Sequence, residues 1–485
     1  MSSLPLIAAI SAMLASALGT PVMRWAAPKL GAVDAPGGRR VHTRITPRMG
    51  GVAVIEGMLV ALGVTFLVDE AWLPAWKQPS VLGFLAGGLL IGVVGAIDDV
   101  KEIGAKRKLA GQVVAATIAA VSGARFVAVE VPIFGALDIG PVLGSVLGVI
   151  WIVAFINALN LIDGLDGLAS GVAFFAALTN SVIAYMTGND LALILNAALG
   201  GAVLGFLFYN FNPATIFLGD TGSMFLGYAL GGAALLTGRQ KESTLISLLV
   251  PVLALGVPMA DTIFAMIRRF LARRPIFSAD RGHIHHRLLD HGLTHRRAVL
   301  FLYACSIVLC VLALGAAFGK DWQVGVALSA AVLTLVGMGR FAGYFEVTRL
   351  RRIEQEHAHA PATETLRRLL PDLVLEARQA STQEDLTRAL ARVLACREVA
   401  AIRLRRTPEG APVWATSTPT DTMSAPRGEA RTLVLGGETA SDPGSWTIEF
   451  DYVTPEPEVP PHVEVLLRVV ADVVVAGLLR VEAGA

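Results

Sequence analysis

Long apolar runs alternate with short polar connections over the first two-thirds of the chain. Taking roughly 20 apolar residues as the length that crosses a bilayer, about eleven spans emerge. They cover 4–23, 50–68, 81–97, 109–122, 140–156, 168–187, 190–209, 223–237, 244–267, 298–317 and 322–342. The fourth and eighth are short, and are expected to tilt, to sit in thinned bilayer or to extend beyond these bounds. After about Phe345 the pattern changes. Glu346–His359 is a charged amphipathic run that reads as a helical linker, and Thr363–Cys396 has helical period. Val399–Arg405, Val413–Ser417, Ala430–Leu435 and Trp446–Tyr452 alternate as strands do. Pro460–Leu479 closes with a helix, whose Glu464, Arg468 and Asp472 mark a packed or dimerising element and not a twelfth span.

The fold class predicted is therefore an all-α polytopic membrane protein with a C-terminal cytoplasmic α+β domain. The membrane domain takes 1–343, the linker 344–362 and the soluble domain 363–485. Helix, four strands and helix give that domain a faint, compositional likeness to sensor domains of the GAF sort.

Charge orients the spans. The first loop carries Arg24, Lys29, Arg39, Arg40, Arg44 and Arg48, and the third carries Lys101, Lys106, Arg107 and Lys108. The ninth carries eight arginines between Arg268 and Arg297, whereas the even-numbered loops hold only Lys77, Arg125, Arg239, Lys241 and Lys320. Under the positive-inside rule the basic loops are cytoplasmic. The N-terminus is then outside and the tail inside. A gain or loss of one middle span would scatter the basic loops over both faces.

Composition agrees. Of 485 residues, 54% are hydrophobic and 16% charged, against about 25% charged in soluble domains, and mean hydropathy is +0.61. A net charge of +1 says nothing about partners; the local charge distribution does, and no nucleic-acid partner is expected. Cys305, Cys310 and Cys396 form no CxxC and no even-numbered framework, so no disulfide scaffold is expected. Leu4–Leu18 lacks a basic residue ahead of it and reads as a retained first helix.

The polar chemistry gathers in the loops assigned to the cytoplasm. Asn157, Asn160, Asp163 and Asp166 recur every three residues after the apolar run Pro141–Ile156. Carboxylates at a bilayer edge mark a functional site by default; the alternative is an ordinary polar loop. Each step of three lags a helical turn by about 60°, so the stripe drifts about half a turn. Gly164 and Gly167 offer a helix break that turns the later carboxylates back. Asp98-Asp99, with Lys106, Arg107 and Lys108 following, suits Mg²⁺ and phosphate: hard carboxylate oxygens hold Mg²⁺, which takes substrate phosphates as further ligands. Asp220, in Gly219-Asp220-Thr221-Gly222-Ser223, reads either as a ligand or as the N-cap of a span starting near Ser223. His283, His285 and His286, with Arg281 and Arg287, read better as an anion site than as zinc ligands, since they are mixed with arginines and no Cys is close in sequence.

These motifs occur in order on an eleven-span frame. With Arg39–Gly51 they resemble the polyprenyl-phosphate N-acetylhexosamine-1-phosphate transferases, in the WecA and TagO branch of the MraY-like superfamily. The likeness covers about 20–300 well, and the spans to about 343. It implies transfer of a sugar 1-phosphate from a UDP-N-acetylhexosamine to undecaprenyl or another polyprenyl phosphate. UMP is released in this first membrane step of cell-envelope polysaccharide synthesis, which feeds cell wall or O-antigen assembly. It implies Mg²⁺, with Mn²⁺ as substitute, and an inner-membrane location; a homodimer is one assembly that the closing helix of the tail allows. Motif matching gives Asp220 and Asn160 to the metal or the pyrophosphate it carries. Asp98, Asp99, Asp163 and Asp166 are matched as the catalytic acidic positions, and Lys108 to a phosphate contact. Asn157, His283, His285, His286 and Arg281 are matched to substrate. The His-Ile-His-His form favours a simple N-acetylhexosamine, N-acetylglucosamine first, over the muramyl-pentapeptide donor.

Elementary chemistry fits that implication. Both reactants are anionic, so metal and basic groups must screen their approach. A phosphate monoester has a second pKa of about 6, so the nucleophile needs little general base. Direct in-line attack is favoured over a phosphoryl-aspartate because held reactants already gain proximity. A UbiA-type prenyltransferase would need DxxxD-like clusters on two loops and leaves the histidines unexplained; a CDP-alcohol phosphotransferase lacks its motif here. An ion-coupled transporter would carry ionisable groups in mid-span, which most of these spans lack.

Overall fold

The computed structural model describes residues 3–34, 45–131, 135–237, 244–271, 282–343, 360–396, 398–406, 412–417, 429–436, 446–454, 459 and 461–482. It divides into two compact units, Met1–Phe345 and Glu346–Ala485. The expected linker lies mostly outside the described residues.

The first unit is helical. In chain order it holds α1 (Leu4–Lys29), β1 (Val33–Asp34), β2 (Thr46–Pro47), α2 (Gly51–Val68), α3 (Leu73–Trp76), α4 (Pro79–Lys101) and α5 (Ala105–Ser122). There follow β3 (Ala128–Val131), β4 (Gly135–Asp138), α6 (Gly140–Ile162), α7 (Leu168–Met186), α8 (Asp190–Asn210) and α9 (Gly219–Thr237). The unit closes with α10 (Thr244–Ala254), α11 (Gly256–Leu271), α12 (Ile284–Asp290), α13 (His295–Phe318) and α14 (Asp321–Phe341). Among the described residues eight helices are long and apolar enough to cross a membrane: α1, α2, α4, α6, α7, α8, α13 and α14. The chain is therefore a multi-pass membrane protein. The other three apolar runs also fall on helices, but in altered form. α5 opens on Lys106, Arg107 and Lys108, which shortens its apolar part. α9 begins at Gly219, ahead of the expected Ser223, so a polar first turn dilutes it. The ninth run breaks into α10 and α11. Pro258, in the first turn of α11, lacks an N–H and crowds the carbonyl four residues back, which favours a break there.

α9 is the axis of the unit. It is buried almost throughout and packs on α4, α6 and α2. Small residues permit this, as is usual where bilayer helices approach closely. A Cβ on Gly51 of α2 would lie 2.1 Å from Gly222 N, and one on Gly95 of α4 would lie 2.5 Å from Thr221 Cα. The tip of α9 is also held by the segment before α2. Phe217 N–H donates to Pro47 O, Gly50 N–H to Phe217 O and Gly51 N–H to Leu218 O, at 2.8, 2.9 and 2.9 Å.

The second unit contains α15 (Ala360–Gln379), α16 (Gln383–Ala391), β5 (Val399–Arg405), β6 (Trp414–Ser417), β7 (Glu429–Gly436), β8 (Thr447–Thr454) and α17 (Pro461–Glu482). The strands form one antiparallel sheet in the order β6-β5-β8-β7. Alternation selects its faces. Ile402, Leu404, Ile448, Phe450 and Tyr452 are buried with Leu373, Leu386 and Leu467 of the helices. On the other face Arg403 pairs with Asp451 at 2.5 Å and Arg405 with Glu449 at 2.9 Å.

Candidate active site

The site lies where α4, α5, α6 and α9 present polar ends to one another. Asp98 and Asp99 sit in the last turn of α4, Lys108 in the first turn of α5 and Asp220 in the first turn of α9. Lys108 Nζ lies 2.9 Å from Asp98 Oδ2 and 2.5 Å from Asp220 Oδ2. The ammonium thus occupies the place between two carboxylates that any cation would favour. Asp98 Oδ1 also accepts Ile103 N–H at 2.9 Å.

Asp99 does something different. Its carboxylate, 2% exposed, accepts Asp220 N–H at 2.9 Å, Thr221 N–H at 3.0 Å and the Thr221 hydroxyl at 2.6 Å. A helix begins with unpaired N–H groups and a positive dipole end. Asp99, from another helix, caps both for α9. The cap that sequence reading offered to Asp220 belongs to Asp99, and Asp220 is left facing Lys108 and Asn160. Arg48 Nε in turn donates to Asp99 O at 2.9 Å, and its Nη2 pairs with Glu102 at 3.2 Å.

The Asn157–Gly167 stretch divides by role. Asn157 and Asn160 lie on the last turns of α6, which ends at Ile162. Asn160 Nδ2 donates to Asp220 Oδ1 at 3.1 Å and to Ser223 Oγ at 2.9 Å. Asn157 Nδ2 instead donates to Gln112 Oε1 and Val153 O, both at 2.8 Å. Beyond the break, Asp166 Oδ2 accepts Asn212 Nδ2 at 2.9 Å and Ala214 N–H at 3.0 Å, and Asp166 N–H donates to His295 Nε2 at 2.8 Å. That residue ties the α6–α7 turn to the segment before α9. Asp163 accepts no hydrogen bond among the described residues, while keeping partial exposure. Desolvation, and then the Asp220, Asp99 and Asp166 carboxylates, push it well above the usual carboxylate range.

The histidine turn reaches the same place. An ideal Cβ on Gly164 would lie 2.3 Å from His285 Nε2, so the ring rests directly on the Asp163-Gly164 backbone. His285 is 2% exposed, and among the described residues its Nδ1 is buried without a partner. Burial, then the His286 charge, pushes its imidazole down to about 3, which keeps it neutral. Its ring stacks parallel on His283 at 6.0 Å and packs against His286 at 4.3 Å. Arg268 and Arg287 both donate to Gly282 O. Arg281 lies outside the described residues.

Asp98, Asp163, Asp220 and the Asn160 amide make a hard oxygen set that suits Mg²⁺ by donor type. Among the described residues no three acidic, His or Cys side chains are grouped closely enough to hold an ion alone. Substrate phosphates and water would therefore complete its shell. Sequence reading did not single out Thr221, Ser223, Gln112, Asn212, Asp261 or His295. Only Asp261 carried a signal, as a lone acid in an apolar run.

Residues 81–238 match the model of glycosyl transferase family 4. The chain is 40% identical over 309 residues to a probable undecaprenyl-phosphate N-acetylglucosaminyl 1-phosphate transferase of Bacillus subtilis, covering 64% of this chain and 84% of that protein. It is 33% identical over 350 residues to a decaprenyl-phosphate N-acetylglucosaminephosphotransferase of Mycolicibacterium smegmatis, covering 67% and 86%. It is also 33% identical over 324 residues to a phospho-N-acetylmuramoyl-pentapeptide-transferase of Moorella thermoacetica, covering 62% and 95%.

Proposed function

The chain belongs to glycosyl transferase family 4, and from that membership we propose that it transfers N-acetylglucosamine 1-phosphate from a UDP-sugar to a polyprenyl phosphate, releasing UMP. The observation that carries this reading is the meeting of Asp98, Lys108, Asn160 and Asp220 from four helices, beside an Asp163-Gly164 turn that supports His285. Both reactants are anions, and they need a cationic place between them. Lys108 supplies one positive charge there. Asp220 and Asn160, with Asp163 beside them, would hold Mg²⁺, which when bound would screen the two phosphates as a Lewis acid. Asp98 orients Lys108 toward the acceptor phosphate, which is already largely ionised at neutral pH. Asp99 and Asp166 hold the frame, through α9 and through the 212–214 segment. His283, His285 and His286 face the donor phosphates or sugar, and neutral His285 offers hydrogen bonds there.

The basic loops support a cytoplasmic site and tail, and eleven crossings, three of them in irregular form. The second unit reads as a GAF-like regulatory or dimerising domain. Purified protein given UDP-N-acetylglucosamine, polyprenyl phosphate and Mg²⁺ should release UMP. Solute uptake into proteoliposomes with no UMP formed would end the transferase reading. Removal of residues after about 350 separates the tail's role: full turnover with lost regulation is expected.

A further inference from the structure

Asp261 is the one acidic residue in Thr244–Leu271, the stretch that forms α10 and α11. A carboxylate in an apolar membrane stretch is unfavourable unless paired, and such a residue points to function. Asp261 is 1% exposed. The same helix turns Ile263, Met266, Ile267 and Phe270 outward. α11 thus has one face for lipid and one anionic point facing in.

That point meets the histidine turn twice. Asp261 Oδ1 accepts Ile284 N–H, the first of α12, at 2.7 Å. Oδ2 lies 2.9 Å from His283 Nδ1. An ionised carboxylate only accepts hydrogen bonds, so Nδ1 is the donor. The bond made by one ring nitrogen decides what the other can do. With Nδ1 committed, Nε2 is the nitrogen left for a ligand.

We infer that Asp261 is a positioning residue for the histidine turn. It keeps the proton of His283 on Nδ1, and it anchors α12 so that His285 stays against Gly164. It touches no reacting atom. This rests on the proposed role of the turn in binding the nucleotide sugar.

The test uses the full-length protein in detergent or nanodiscs. Asp261→Asn keeps an acceptor for Ile284 but presents an amide donor to Nδ1. The KM for UDP-N-acetylglucosamine is expected to rise on the order of ten- to a hundredfold, taking the range found for partners that orient metal-ligating histidines as the scale. The KM for polyprenyl phosphate stays put. Combined with His283→Gln, Asp261→Asn adds little further loss, because it acts through that ring. Multiplying losses, or an equal rise in both KM values, overturns the inference. ¹⁵N-histidine NMR of the unmutated protein gives a second readout that needs no turnover and no variant. His283 should carry its proton on Nδ1, and a bare Nδ1 overturns the inference. If the unmutated protein releases no UMP, the transferase reading fails, and the nitrogen shifts still decide the role of Asp261.

Discussion

Replacing Asp99 separates a cap from a reacting group. Its carboxylate takes three hydrogen bonds from the first residues of α9. Asparagine keeps one acceptor oxygen, for Asp220 N–H. The Thr221 hydroxyl can rotate to accept from the new amide, but Thr221 N–H is left facing a donor. An orphaned buried donor costs about 1–3 kcal/mol, and removing a negative charge from a helix N-terminus costs about 1 kcal/mol more. Asp99→Asn should therefore destabilise the first unit by about 2–4 kcal/mol. Thr221→Val loses only the hydroxyl bond, about 1 kcal/mol. Thermal unfolding in detergent should rank wild type above Thr221→Val above Asp99→Asn. UMP release should fall in the same order, because Asp220 rides on the turn that loosens. If Asp99→Asn melts with the wild type yet loses all turnover, Asp99 acts on the reacting groups and the capping argument is wrong.

Gly164→Ala puts a methyl group 2.3 Å from His285 Nε2. UMP release should drop on the order of a hundredfold, as for misplaced site groups generally, with little change in melting; wild-type turnover would show the histidine turn to be dispensable. Chelating divalent metal should abolish turnover, and Mg²⁺ should restore it; activity that survives thorough chelation counts against the proposed oxygen set. His285 takes a proton near 3 when folded and near 6.5 when unfolded. The unfolded state then binds more protons between those values, so stability falls as pH drops through that window. His285→Gln should flatten the fall, seen as melting midpoint against pH. In the second unit, Phe450→Ala removes a fully buried ring and should cost about 3–5 kcal/mol, detected as early unfolding of the tail expressed with the whole chain.

The frame was legible because bilayer length and apolar runs share one scale. All eleven runs fall on helices, and the four strand-like runs of the tail fall on β5 to β8. Departures came where a local chain signal competed with hydropathy. Pro258 divides the ninth run, and Gly219 lets α9 start on polar residues. The candidate residues were legible as polar interruptions of apolar sequence. Their division of labour was not. Asp98 and Asp99 are adjacent in sequence, yet one meets Lys108 and the other caps a helix over a hundred positions later. Asp163 and Asp166 share a motif, yet Asp166 is spent on Asn212 and Ala214 while Asp163 stays open. Asp261 reads as an oddity until Ile284 and His283 are beside it. Local sequence determines which segments enter the membrane and which carry charge, because hydropathy and backbone preference act over a few residues. Which carboxylate is consumed by a hydrogen bond, and which remains for a ligand, depends on donors brought from other helices, and only the tertiary structure decides that.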